Sequence, residues 1–526
     1  MTIICRSIFF WSHSFFKSVA LGTLSALSFA PFNVFPIFLA TFSWLFVEIF
    51  RIEKTKFLLG KIFCFFFCLH LACLYWLVYP LTLDLATYAT LIPFTLVLIP
   101  VYISAFILIP TKILSSRRTT FTGICRRPFA FASLFSMIMM FYGNFLPGFP
   151  WVLPGYIWCY HEIFLQTLSI YGIYGLSFVT MLISGFVGQS YLYYQQKSAE
   201  NSRNAAIISI FLFLFIVLYG YFRLAHNPTT FIDKKIRIVQ CNISQENKNN
   251  HSLAFENFKK HLADSKHESK IDFIIWPEAS IPYLYRENFK QLHDYLRSPL
   301  KESEHLLAGA VRKDMRTQEV YNSAVIINHK GENVANYDKS RLLPFGEYVP
   351  FREYVPFQSI ASEIGDFDVG KGADIFEVSG VKIIFAICYE IVFPNGFIPR
   401  ETGKNKLSHP RSSADLIVNV TNDGWFGFTN EPFQHLQISR TRAIETGLPL
   451  ARATNYGISA VFDPCGREIA RVPINQSGVI DVNIPGKMYS LFYNLEQRIL
   501  FFLLFIIALL SLFPPFLKKK TIIREN

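Results

Sequence analysis

The sequence predicts a two-part molecule: an α-helical polytopic membrane domain of about eight spans, carrying an extracytoplasmic α/β domain. Three observations lead there. Only 17% of the 526 residues are charged and 52% are hydrophobic, whereas about 25% of an average soluble chain is charged. The apolar residues are unevenly spread. Long uncharged runs fill residues 1–230 and 497–517, and 235–490 has the composition of a globular domain. Within 235–490, β-rich apolar runs alternate with polar helical stretches, the pattern of a layered α/β fold.

An apolar run of about 20 residues is long enough to cross a bilayer as a helix. Seven such runs precede residue 230, at 14–30, 35–50, 60–80, 88–110, 128–145, 163–193 and 205–224. The 35–50 run is short, and 163–193 reads as one long tilted helix. An eighth lies at 497–517. The first run is not read as a cleaved signal peptide, because Pro31 follows "LSFA" and further spans follow at once.

Basic residues set the orientation. Arg51, Lys54 and Lys56 occupy one loop, and Lys112, Arg117, Arg118, Arg126 and Arg127 a second. Lys197 and Arg203 occupy a third, and the tail reads "KKKTIIREN". The alternate loops, 31–34, 81–87 and 146–162, have neither Lys nor Arg. Both termini are therefore expected in the cytoplasm and the 231–490 domain on the opposite side. The divisions are 1–230, 231–490 and 491–526. The net charge of +12 is in part this topology signal. No Arg-rich or aromatic RNA motif is present, so no nucleic-acid partner is expected.

The outer domain opens with a strand, "IRIVQCNI" (236–243), followed by a helix around "NFKKHLADS". "IDFIIWPEA" (271–279) is a strand ending in a turn, and "HLLAGAVR" (305–312) is a strand. Residues 321–339 form two strands joined by a Gly-containing turn. "VKIIFAIC" (381–388) and "ADLIVNVTND" (414–423) are buried strands. Residues 431–447 form a helix with a Gly stop, and 457–473 a hairpin. Segments 352–372 and 397–413 are long loops, of the kind that serve as lids or as tolerated surface insertions.

Three strand ends carry the chemistry: Glu278 after "IIWP", Lys339 after "ANYD" and Cys388 after "IFAI". Ligand sites of open α/β sheets gather at such ends. Taken alone, Cys388 is either a buried core thiol or a nucleophile. Beside a Lys and a Glu the nucleophile reading gains. A thiolate attacks, and an ammonium favours it. A carboxylate takes and returns the proton, and Lys339 with the backbone N–H after the cysteine holds an oxyanion. Of nine cysteines, Cys64, Cys68 and Cys73 share a span and read as helix packing. Cys241, Cys388 and Cys465 lie in the exported domain, where two of the three could pair.

"IIWPEASIP", "YDKSRLLPFGEYVPF", "ICYEIVFP" and "VTNDGWFG" together resemble the nitrilase (carbon–nitrogen hydrolase) superfamily. With the spans, and with "HLQISRTRAIETGLPLARATNYGISA", nearly the whole chain resembles the apolipoprotein N-acyltransferase family of bacterial envelopes. The resemblance implies an αββα nitrilase-like sandwich on an eight-helix base in the bacterial inner membrane. It implies Glu278 as general base, Lys339 as oxyanion stabiliser and Cys388 as nucleophile. Glu347 would be a second carboxylate that positions Lys339 or the acceptor amine, and Tyr389 and Glu390 would shape the pocket. The implied partners are a phospholipid acyl donor, commonly phosphatidylethanolamine, and a diacylated apolipoprotein acceptor. No cofactor and no metal are implied, and one chain, a monomer, contains the whole site. One departure stands out. Where the family has "QGN" and then Lys-Trp, this chain has "QCNISQENKNN", with Cys241 for the Gly and Asn249 near the expected Trp.

Other features read more plainly. The 143–162 loop is an interfacial aromatic belt, either bordering lipid access or simply anchoring. Asn422, Asp423 and Trp425 build a turn under the site, Arg442 and Glu445 pair on a helix, and His435 is a satisfied helix histidine. His70 lies inside a span, with no assignable role. Two rival functions are a membrane-tethered amidase acting on a small amide, and a transporter or scaffold with a degenerate domain.

Overall fold

The structure is a computed structural model that describes residues 2–117, 123–145, 148–286, 290–354, 365–394, 396–398, 414–488 and 497–512. Arg118, the basic tail, the end of the last apolar run, the centre of 352–372 and most of 397–413 lie outside the described residues.

Outside the α/β domain the long helices are Thr2–Ser25, Phe35–Arg51, Thr55–Leu74, Ile92–Ser116, Arg126–Asn144, Leu168–Gln195, Ala199–His226 and Gln497–Leu512. Each coincides with one apolar run of the sequence. Among the described residues four helical stretches are long and apolar enough to cross a membrane: Thr55–Thr82, Leu85–Ser116, Leu168–Gln195 and Ala199–His226. Large apolar side chains such as Phe94, Leu98, Phe211, Leu218 and Phe222 point outward from two of them. A lipid solvent tolerates such a surface and water does not. The 163–193 run is not one continuous helix. Gly172 adopts φ +63 and breaks it near its start, a conformation that suits only a residue without a Cβ.

The α/β domain is a sandwich of two mixed sheets. The first contains β1 (Phe231–Gln240), β2 (Phe273–Ile275), β3 (Ile281–Tyr285), β4 (His305–Lys313), β5 (Val320–Asn328), β6 (Asn333–Asp338) and β13 (Gly478–Pro485), ordered β13-β1-β2-β4-β5-β6 with β3 on β4. The second is ordered β12-β11-β10-β9-β8-β7. Its strands are β7 (Phe376–Val378), β8 (Val381–Ile387), β9 (Leu416–Thr421), β10 (Leu450–Thr454), β11 (Ser459–Phe462) and β12 (Glu468–Val472). Ile236, Ile238 and Phe273 of the first sheet meet Phe385, Val418 and Val461 of the second in one dry core. Helices Ala254–Ser265 and Lys290–Arg297 cover the first sheet through Phe258, Leu292 and Leu296. The Glu431–Thr446 helix covers the second through Leu436, Ile438 and Ala443 and stops at Gly447, φ +70. The four layers are helix, sheet, sheet, helix, as the resemblance implies.

The Glu431–Thr446 helix is also the joint to the membrane-type helices. Glu445 Oε1 accepts from the Ile173 amide at 2.7 Å, which caps the helix that restarts after Gly172. Arg442, fully buried, pairs with Glu445 and donates to the Tyr156 hydroxyl at 2.8 Å. Gln434 Oε1 accepts from Trp151 Nε1 at 2.6 Å and from Trp76 Nε1 at 3.3 Å. The 143–162 loop therefore differs from the aromatic belt expected of it. Trp151 and Trp158 are buried, and Trp158 donates to Thr180 at 2.7 Å. Each indole N–H finds a protein partner, Gln434 for Trp151 and Thr180 for Trp158, so these two rings pack inward.

Candidate active site

Glu278 is presented by the turn that follows β2. That turn lies flat on β4: the Gly309 amide donates to Pro277 O at 3.1 Å, and Ser280 N donates to Gly309 O at 2.9 Å. The approach is so close that a Cβ on Gly309 would sit 2.4 Å from Pro277 O and 2.5 Å from Glu278 Cα. The turn also holds Ala279 at φ +46. Glu278 is thus aimed by backbone, and its carboxylate is buried.

Lys339 follows β6 and is 1% exposed. Its ammonium donates to Glu347 Oε1 at 2.9 Å and lies 3.5 Å from Glu278 Oε1. Burial alone would lower its pKa. The carboxylates of Glu347 and Glu278 outweigh burial and raise it, so Lys339 is a permanent cation. Asn322 on β5 completes the group. Its Nδ2 donates to Glu278 Oε1 at 2.8 Å and to Glu347 Oε1 at 2.7 Å. The second Glu347 oxygen accepts from Leu343 N at 2.8 Å. One amide and one ammonium thereby hold two buried carboxylates side by side.

Cys388 ends β8 at φ +49, a sharp turn that lifts the thiol off the strand end. β8 and β9 are parallel, with Ile387 opposite Val420. Cys388 and Thr421 therefore emerge as neighbours; the Thr421 hydroxyl donates to Asp423 Oδ1 at 3.2 Å and, from beside the sulfur, pulls the thiol pKa down. Burial and the negative charge of Glu278 push the thiol pKa up, and Lys339 only partly opposes them. The resting group is a thiol, and a thiol acts as a nucleophile only with a base to take its proton as the new bond forms. Glu278 is the carboxylate whose field the thiol feels most.

The two residues after Cys388 face different ways. Tyr389 donates its hydroxyl to Gly148 O, stacks on Phe149 at 6.4 Å and meets Phe393 edge-on at 5.0 Å. Glu390 is fully buried. Its Oε1 accepts from Tyr337 OH (2.8 Å), Ser340 N (2.8 Å), Ser340 Oγ (2.9 Å) and Arg341 N (3.1 Å), and Oε2 from Ile387 N (2.9 Å). It ties the end of β8 to the segment after Lys339. It shapes the site by holding Cys388 and Lys339 in register.

Sequence reasoning missed Asn322 and Lys248. Lys248, on the short helix Gln245–Asn249, donates to the Glu278 carbonyl at 2.9 Å. Burial pushes its pKa down to about 8, and Glu278 and Cys388 resist that fall. The signal lay in "QENKNN", where attention went to the absent Trp. At the departing positions, Cys241 is fully buried with its thiol 3.6 Å from Asp264 Oδ2, and Asn249 accepts from Gln245 at 2.8 Å. Cys241, Cys388 and Cys465 are all free, so none of the possible disulfides forms. His70 bonds Phe66 O through Nδ1 at 2.7 Å. Among the described residues one group could gather around a metal, Asp423, Glu431 and His435, with ligand atoms within 4.8 Å. Arg452 donates to Asp423 at 2.7 Å and contacts His435 Nδ1 at 3.2 Å. A guanidinium in that space repels a cation, so the group does not fit a metal.

Two facing mixed sheets with a cysteine at a strand end define the class, and residues 235–492 match the family described as carbon–nitrogen hydrolase. Residues 21–186 match the apolipoprotein N-acyltransferase N-terminal domain. The apolipoprotein N-acyltransferase of Rickettsia bellii (strain RML369-C) is 32% identical over 502 residues, 93% of this chain and 95% of the relative. That of Rickettsia prowazekii (strain Madrid E) is 31% identical over 507 residues, 94% and 97% of the two chains. That of Bradyrhizobium diazoefficiens is 31% identical over 501 residues, 90% of each. The chain belongs to the apolipoprotein N-acyltransferase family.

Proposed function

We propose that this protein moves a fatty acyl chain from a membrane phospholipid, through a Cys388 thioester, to the α-amino group of the diacylglyceryl cysteine of an apolipoprotein. The observation that carries this reading is the buried Glu278–Lys339–Glu347 group beside Cys388, on a domain jointed to long apolar helices. Glu278 takes the thiol proton as sulfur attacks the ester carbonyl. Lys339 and the backbone N–H of Tyr389 hold the oxyanion, and Glu278 returns the proton to the departing lysophospholipid. In the second half the acceptor amine attacks the thioester and Glu278 takes its proton; the C–S bond breaks and Glu278 returns that proton to the Cys388 sulfur, closing a ping-pong cycle. Glu347 fixes Lys339, and Tyr389 and Glu390 fix the turn that bears the nucleophile.

Eight spans, the 1–230, 231–490 and 491–526 divisions, cytoplasmic termini and a periplasmic catalytic domain at the inner membrane fit this reading. A catalytic domain jointed to the spans stays at the leaflet where both substrates lie. Phosphatidylethanolamine is the proposed donor and a monomer the proposed unit. The test supplies vesicles and a synthetic diacylated lipopeptide to the wild type and Cys388→Ala. A triacylated peptide formed only by the wild type supports acyl transfer. Free fatty acid without peptide acylation, or ammonia from a small amide, supports the hydrolase reading instead.

A further inference from the structure

Thr421 sits between two groups that compete for one proton. Its hydroxyl donates to Asp423 Oδ1 at 3.2 Å, and the Cys388 sulfur emerges beside it from the paired strand end, where Ile387 lies opposite Val420. A hydroxyl donates once, so it serves either the sulfur or the carboxylate. Burial would raise the Asp423 pKa, but Arg452 and His435 outweigh it and hold Asp423 ionised. In the resting enzyme the sulfur is a thiol, needs no donor, and leaves the hydroxyl to Asp423. When the thiol loses its proton the sulfur becomes the stronger acceptor. Asp423 can release the hydroxyl without being stranded. Arg452 Nη2 still donates at 2.7 and 3.0 Å, and His435 Nδ1 is 3.1 Å away. His435 is itself braced by Glu431 at 3.2 Å, and all four groups are buried.

We propose that Thr421 is a further catalytic residue whose hydroxyl turns from Asp423 to the Cys388 sulfur as the thiolate forms, with Asp423 as its positioning partner. This rests on the reading of Cys388 as the acyl-transfer nucleophile. The thiol proton goes to the Glu278 carboxylate, the sulfur electron pair forms the C–S bond, and the ester C–O bond breaks. The departing alkoxide takes the proton from Glu278, and Thr421 keeps its own throughout. The charged groups that face the sulfur are Glu278 from the turn after β2, Lys339 from the end of β6, Lys248 from the Gln245–Asn249 helix, and Asp423 after β9.

The test reads the thiol directly. The full chain in lipid nanodiscs is alkylated with iodoacetamide across a pH series, and the Cys388 peptide is quantified by mass spectrometry. Thr421→Val keeps the shape and removes the hydroxyl, and Thr421→Ser returns it. The expected result is alkylation about tenfold slower in Thr421→Val across the pH series, the effect of a thiol pKa raised by about one unit, and restored toward wild type in Thr421→Ser. A packing role predicts the reverse order, because valine keeps the shape and serine loses the methyl. Thr421→Ala gives the same reading should the valine variant not fold. An unchanged rate in a folded variant without the hydroxyl overturns the proposal. Acyl adduct from phosphatidylethanolamine vesicles is measured on the same wild-type sample. A slowed alkylation with no lipid adduct keeps the role of Thr421 at the thiol and removes the acyl-transfer reading.

Discussion

The Tyr389 hydroxyl donates to the backbone carbonyl of Gly148. The residue next to Cys388 is thereby fastened to a loop between two membrane-type helices, and the position of the thiol depends on that seam.

Tyr389→Phe removes the hydroxyl and leaves the stacking on Phe149 and Phe393. A loss of about 1 kcal/mol is expected, with transfer slowed less than tenfold. Tyr389→Ala also removes the packing and is expected to cost about 3–5 kcal/mol. Thermal unfolding and initial rates of lipopeptide acylation check both; equal effects of the two variants would contradict the seam.

Lys339→Met leaves Glu278 and Glu347 as neighbouring buried carboxylates with Asn322 between them. Breaking a buried pair in this way costs about 3–5 kcal/mol. The expected outcome is a lower unfolding midpoint together with at least a hundredfold loss of transfer, about the effect of one lost oxyanion donor. A variant that unfolds like the wild type would show that the carboxylates do not depend on Lys339.

Gly309 lies on β4, remote in sequence from Glu278, yet a Cβ there would strike the backbone of Pro277 and Glu278. Gly309→Ala is expected to displace Glu278 and lower the transfer rate by about 10²-fold, the cost of misplacing a catalytic group by about 1 Å. Gly309→Ala with full activity would mean that the turn tolerates displacement.

Lys248 makes a pH prediction. Burial holds its pKa at about 8, below the ordinary 10.5. Between those values the unfolded chain carries the extra proton, so this group makes stability rise with pH across about 8 to 10.5. Below that window its burial is a constant cost. Lys248→Met is expected to raise the unfolding midpoint at pH 7 by a gain of no more than about 3 kcal/mol, less the lost bond to the Glu278 carbonyl. It should also flatten the alkaline rise. A lower midpoint at pH 7 would contradict this sign.

The apolar helices and most strands were legible because apolar period and length are local properties. The grouping of Glu278, Lys339 and Cys388 was legible because each ends an apolar run, where a strand must stop and a side chain must emerge. Asn322 was not legible. In "YNSAVIIN" it reads as an ordinary strand polar residue, and it acquires its role only when β5 pairs with β4 and β6. β13 was also passed over. Asp481 and Asn483 interrupt its apolar residues, and antiparallel pairing with β1 makes it a strand. The burial of Trp151 and Trp158 was not legible because Trp near a span end resembles a lipid interface, whereas Gln434 and Thr180 hold the two indoles inside the protein. The break at Gly172 depends on a distant capping group, Glu445, that local sequence does not display.

The first measurement to make is intact-mass spectrometry of the purified protein after incubation with phosphatidylethanolamine vesicles alone, alongside Cys388→Ala. The expected result is a fatty-acyl adduct on the wild type only, released by hydroxylamine and discharged by a diacylated lipopeptide. A folded wild type that carries no adduct, or an adduct that persists in Cys388→Ala, would contradict the thioester at Cys388.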